Sequence, residues 1–182
     1  MKQIVLTAIT YLACGMASAA EPQTANLIFD KQLTSMEREL VPLVEAMPAG
    51  KFDFAPIDGT FQGVRTFGMQ AKHVAYVMNE IASGLLGEKN PSVTAANENG
   101  PAELKSKEEI LKYVKDAFAY THKAFATLTN DNLLGQIDDP FGGKSKMTRL
   151  NAADIVMWHS FDHYGQMVVY ARMNRVVPPA SR

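Results

Sequence analysis

His159 and His163 are the residues of this chain whose type and spacing most directly invite chemistry. They lie four apart in a segment of helical periodicity, which places both rings on one face, one turn from each other. Two neutral imidazoles so placed chelate a single divalent ion, provided that a third ligand arrives from another element. His73, at the middle of a second helical segment, is the natural third. Its face also carries Met69, Gln70, Tyr76, Val77 and Glu80, an inward-looking surface with a mixed polar rim. Three neutral nitrogens leave positions open for water or substrate, as a catalytic site requires. The imidazoles must be neutral to bind, so affinity is expected to fall below about pH 6.5. The H-x-x-x-H pair also has a plainer reading, as half-buried helix histidines hydrogen-bonded to their neighbours. Ser160 follows His159, which excludes the H-E-x-x-H pattern of metalloproteases.

Neighbouring polar residues divide in the same way. Asp162 adjoins His163 and either orients an imidazole as a hydrogen-bond acceptor, serves as a fourth ligand, or is a solvated carboxylate on the helix flank. Gln166, three residues beyond His163, reaches metal-bound water or substrate, or else makes a polar contact between helices. Asp162 and Gln166 are the two side chains to which supporting catalytic roles are assigned. His122 is expected to lie outside the cluster. Trp158, Tyr164 and Tyr170 read as packing residues. Arg65 is suited to an anion, and more ordinarily to a surface salt bridge.

The elements that must carry these residues are helical. The first helix spans about Thr24 to Met47, with Leu27, Leu33, Met36, Leu40, Leu43, Val44 and Met47 at helical spacing and Pro42 predicting a kink or an early stop. The second begins at Thr66, a good N-cap, and ends at Gly87. Residues 88 to 105 form a long loop rich in Asn, Gly and Pro, a length that is usually functional or disordered. Ser106-Lys107-Glu108-Glu109 is a capping box that opens the third helix. The fourth runs from about Asn151 to Asn174, with a cap expected over Asn151 to Asp154, and Pro178-Pro179 stops it. No window alternates strongly enough to be read as a strand, so the fold class is all-α.

Composition sets the outer bounds. The 182 residues carry 18 basic and 19 acidic side chains, a formal charge of −1, too even a balance to hold a nucleic-acid backbone. Residues 1–19 read as a signal peptide: Lys2, an apolar run from Ile4 to Met16, then Ala17-Ser18-Ala19 before a cut. The run is short of the roughly 20 apolar residues of a membrane span, so no stable membrane insertion is expected after cleavage. Cleavage removes Cys14, the one cysteine, and leaves residues 20–182 as a single exported domain, periplasmic or secreted, without thiols or disulfides.

The run His159-Ser160-Phe161-Asp162-His163-Tyr164-Gly165-Gln166, with Arg172-Met173-Asn174 and Pro178-Pro179 after it, resembles the end of DinB-like proteins. Their second-helix histidine corresponds to His73 within Arg65-Thr66-Phe67-Gly68-Met69-Gln70-Ala71-Lys72-His73. The resemblance covers about residues 26 to 179. It implies a four-helix bundle holding a divalent metal, Zn or Ni, on His73, His159 and His163. It is to the secreted branch of the family. Many relatives carry His-His-Arg-Gly-Gln where this chain has Asp162-His163-Tyr164-Gly165-Gln166: the ligand is kept, while an arginine is replaced by tyrosine. The wider superfamily includes thiol-dependent transferases and an isomerase that draw on cytosolic thiols, which an exported protein meets less readily.

Two classes of function follow. One is a metal-dependent hydrolase or transferase acting on a small molecule. The other is a helical module without turnover, binding a metal or small ligand, or pairing with a second copy as a homodimer.

Overall fold

The computed structural model describes residues 23–56, 63–91 and 98–181. Residues 1–19, expected to be a signal peptide, lie outside the described residues, as does Cys14. Four helices carry the fold: α1 (Ala25–Ala46), α2 (Phe67–Leu86), α3 (Lys107–Phe125) and α4 (Arg149–Met173). A two-stranded antiparallel hairpin, β1 (Gln136–Asp138) and β2 (Lys146–Thr148), joins α3 to α4, with Ile137 opposite Met147. Short 3-10 turns occupy Ala49–Lys51 and Pro179–Ser181.

Each helix boundary has a local cause. α1 continues past Pro42 to Ala46, so the early stop does not occur. Leu40, Leu43 and Val44 are fully buried around the proline. At about 1.5–3 kcal/mol for each side chain, their burial exceeds the roughly 3 kcal/mol that an interior proline costs. Thr66 caps α2 by accepting from the Met69 N–H at 3.2 Å, and Gly87 closes it in the left-handed region at φ 68°. The expected capping box opens α3: the Glu109 N–H donates to Ser106 Oγ at 3.2 Å and the Ser106 N–H to Glu109 Oε2 at 2.9 Å.

α4 departs from expectation at its start. Its cap is Thr148, whose hydroxyl accepts from the Asn151 N–H at 3.1 Å, so the helix begins before Asn151. The hairpin was also unexpected. Its strands have three residues each, too few to establish an alternating pattern, and their pairing depends on the turn at Asp139–Gly142, where the Phe141 N–H donates to Asp139 Oδ1 at 2.9 Å.

α1 and α2 each pack against both α3 and α4, so the bundle circuits α1, α3, α2, α4. Between them lies a core in which Leu33, Met36, Leu40, Phe67, Phe118 and Phe125 are fully buried. Leu27, expected on the apolar face of α1, is 42% exposed, because it falls off the Leu33–Met36–Leu40–Leu43 stripe. No helix among the described residues is long and apolar enough to cross a membrane. For function, the decisive adjacency is α2 beside α4, which sets His73 against the helix carrying His159 and His163.

Candidate metal centre

Each of the three histidines comes to the site by helical register. On α4 the inward stripe contains Val156, Ser160, His163, Met167 and Tyr170, all buried, and His159 stands at its edge, half-buried. On α2, His73 lies between Gln70 and Val77 on a face that is buried throughout. The result is a tight convergence. The Nε2 of His159 is 3.0 Å from that of His73 and 3.1 Å from that of His163. The ring centroids are 4.5–4.9 Å apart. Nitrogens bound to one ion at about 2.0–2.1 Å are separated by roughly 3–4 Å, so these spacings suit a shared cation. Among the described residues, these three form the one group of histidine, cysteine or carboxylate side chains able to hold a metal ion.

The protonation pattern supports the same arrangement. The Nδ1–H of His73 donates to the main-chain carbonyl of Glu98. A carbonyl only accepts, so the proton sits on Nδ1 and the Nε2 of His73 presents a lone pair to the other rings. Two close contacts meet at the His159 Nε2, and one proton cannot satisfy both in good geometry. A cation between three lone pairs satisfies all of them. The Nδ1 atoms of His159 and His163 are buried without a protein partner, so only His73 has its far nitrogen held by the chain.

Burial keeps the rings neutral. Loss of solvent, with the neighbouring imidazoles and Arg65 adding to it, pushes His159 down to about 3. Burial, helped by the neighbouring His73, likewise takes His163 down to about 4, with Asp162 opposing. His73 is lowered for the same reason, with the Glu98 carbonyl opposing. The loss of affinity expected below about pH 6.5 therefore moves to more acid conditions in the folded chain.

The loop that supplies the Glu98 carbonyl is pinned to α2. Lys72, buried beside His73, donates from Nζ to the carbonyls of Pro101 at 2.9 Å and Leu104 at 3.2 Å. Gly100 sits at φ 73°, and a Cβ there would lie 2.9 Å from the Cβ of Lys72. Glycine is what allows the loop backbone to lie on the helix. Lys72 and the Glu98 carbonyl, which together hold His73 in place, are contributors to the site that sequence reasoning missed. A main-chain carbonyl has no side-chain signature, and the Asn99-Gly100-Pro101 turn was the one available signal.

Asp162 and Gln166 lie beside the triad and are bonded to each other. The Gln166 Nε2 donates to Asp162 Oδ2 at 3.0 Å, and the Gln70 Nε2 donates to Gln166 Oε1 at 2.8 Å. Asp162 is exposed, and its carboxylate is not among the converging ligand atoms. His122 lies elsewhere, between α3 and α1, bonded to Asp30 at 2.6 Å and Glu37 at 3.3 Å. Trp158 corrects its packing assignment: it is 55% exposed, because it stands about 200° around the helix from both Val156 and Ser160. Tyr170 is buried, edge-on to Phe54 at 5.8 Å, as expected. Tyr164 is half-buried and donates to Glu39 Oε2 at 2.6 Å. Arg65 makes the expected ion pair, with Glu98 at 2.9 Å.

An all-α bundle with a histidine triad between two neighbouring helices defines the class. The chain belongs to the DinB superfamily, whose family model matches residues 32–167. Two solved structures share the fold. One is a DinB-like protein from Bacillus cereus ATCC 10987, with a TM-score of 0.66 and 19% identity, covering 86% of this chain and 97% of that one. The other is a DinB-like protein from Bacillus subtilis, with a TM-score of 0.64 and 18% identity, covering 85% of this chain and 98% of that one. No curated protein matches the chain.

Proposed function

We propose that this chain is a divalent-metal enzyme, a hydrolase or transferase acting on a small molecule, with His73, His159 and His163 as its ligands. The observation that carries the proposal is the convergence of three neutral Nε2 atoms, the closest pairs at 3.0 and 3.1 Å, from two separate helices. Imidazole donors suit Zn²⁺ or Ni²⁺, whereas carboxylate-poor sites such as this one hold Mg²⁺ or Ca²⁺ weakly. A bound ion of this kind supplies Lewis acidity to a substrate oxygen or lowers the pKa of a water.

The chain's own residues do the remaining work. The Glu98 carbonyl orients His73, and Lys72 holds the loop that carries it. Asp162 is the acidic group at the rim, next in sequence to a ligand, and is the proposed proton acceptor. Gln166 is held between Asp162 and Gln70, which orients its amide for a substrate or water. Export is part of the proposal, resting on Ile4–Met16 and Ala17-Ser18-Ala19.

Elemental analysis of the native protein tests the metal, and a screen of hydrolase and transferase substrates tests turnover. One equivalent of Zn or Ni is expected. His159→Ala is expected to abolish tight uptake in equilibrium dialysis, and His122→Ala to leave it nearly unchanged. Undiminished uptake by a folded His159→Ala protein would overturn the ligand assignment. Uptake that persists without any turnover across the screen would favour a binding module.

A further inference from the structure

A cavity of about 370 Å³ lies one turn beyond the triad along the α2–α4 seam. Gln70 precedes His73 by three residues and Gln166 follows His163 by three, so the two helices carry their faces directly from the histidines into this space. Arg65, Glu98, Asn99 and Tyr170 complete its polar lining. Among the described residues, Arg65 is the one cationic side chain there. Its Nε donates to Asn99 Oδ1 at 2.7 Å, and one terminal nitrogen meets Glu98 Oε1 at 2.9 Å. These contacts occupy two of the five N–H groups of a guanidinium.

Charge makes this arrangement informative. Three histidine donors are neutral and cancel none of an ion's two positive charges. Asp162 is outside the ligand set, and its carboxylate is engaged by Gln166. Arg65 adds a further positive charge at the cavity wall. Among the described residues, the carboxylate paired with Arg65 is that of Glu98, whose side chain is 70% exposed, against 24% for Arg65. With its carboxylate end so solvated, the pair is weak and yields readily to a better-placed anion. The carboxylate of Glu98 thus occupies the position that a ligand's anionic group would take.

We infer that the cavity receives a small organic anion, with its carboxylate on Arg65 in place of Glu98 and its reactive group at the histidine triad. The inference rests on the metal reading and adds the substrate class: a molecule with a metal-seeking oxygen group at one end and a carboxylate at the other. Planar guanidinium recognises a carboxylate through paired N–H donors, which an uncharged ester cannot match.

The probes are succinic monohydroxamate and its methyl ester, titrated calorimetrically into Co²⁺-loaded protein. The wild-type protein is expected to prefer the carboxylate by about tenfold, equivalent to about 1.4 kcal/mol. Arg65→Gln should erase that preference while leaving ester affinity and Co²⁺ uptake unchanged, and Arg65→Lys should restore part of it. Glu98→Gln keeps the carbonyl that orients His73 but removes the internal competitor, so it should tighten carboxylate binding severalfold. A merely structural Arg65–Glu98 pair would instead make both variants weaken binding. Equal affinity for acid and ester in Co²⁺-loaded wild type, or weakened binding in Glu98→Gln, would overturn this inference alone. Failure of the wild type to take up Co²⁺ would overturn the metal reading beneath it.

Discussion

His73 and His163 are buried and His159 is half-buried, with few protein partners among them, and that has a price in acid. Histidine in an unfolded chain titrates near about 6.5. His159 and His163 are held down to about 3 and about 4 by loss of solvent. Between those values the unfolded chain binds protons that the folded chain refuses. The stability associated with neutral burial is therefore fully present above about pH 6.5 and declines as pH falls toward the folded values. Urea unfolding of the metal-free protein should give a lower midpoint at pH 5.5 than at pH 7.5, an interval in which most carboxylates stay ionised. His159→Gln should reduce the difference. A midpoint that does not change with pH would contradict the neutral burial of these rings.

At the scale of elements, the site depends on a loop as much as on its helices. Gly87 and Gly100 both occupy the left-handed region, at φ 68° and 73°, so alanine is strained at each. They differ in what surrounds them. Nothing lies within 4 Å of a Cβ built at Gly87, whereas one at Gly100 meets the Cβ and carbonyl of Lys72 at 2.9 and 3.0 Å. Gly100→Ala must lift the loop from α2 and withdraw the Glu98 carbonyl from His73. Loss of such a supporting contact costs roughly 10–100-fold in metal affinity. Competitive chelator titration should find that loss in Gly100→Ala and near wild-type affinity in Gly87→Ala, although both are less stable. Equal affinities would remove the loop from the metal site.

For the whole molecule, the export proposal says where the bundle works. The apolar stretch ahead of Ala17-Ser18-Ala19 has the length and flanks of a cleaved signal. Expression of the full chain in a bacterial host, followed by fractionation and N-terminal sequencing, should give a mature terminus near Ala20 or Glu21 in the exported fraction. A soluble cytosolic product beginning at Met1 would defeat the export proposal. Among the described residues the core of Leu33, Leu40, Phe67, Phe118 and Phe125 forms without cysteine.

What the sequence determined by itself was local and periodic. The i, i+4 pair His159–His163, the capping box of Ser106 and Glu109, and the Thr66 and Gly87 caps all arise from residues within one or two turns of each other. Backbone geometry alone fixes which of them can meet. Tertiary structure decided what depends on distant partners. It set α2 beside α4 and so brought His73 to 3.0 Å from His159. It placed the cap of α4 at Thr148 by pairing two strands too short to be seen in the sequence. It turned Trp158 outward and carried the Glu98 carbonyl onto His73 through a loop of no evident pattern. Hydrophobic periodicity specifies that a helix has a buried face, but not which helix will cover it. That choice belongs to the packing of all four helices at once, and the metal centre is assembled where it is made.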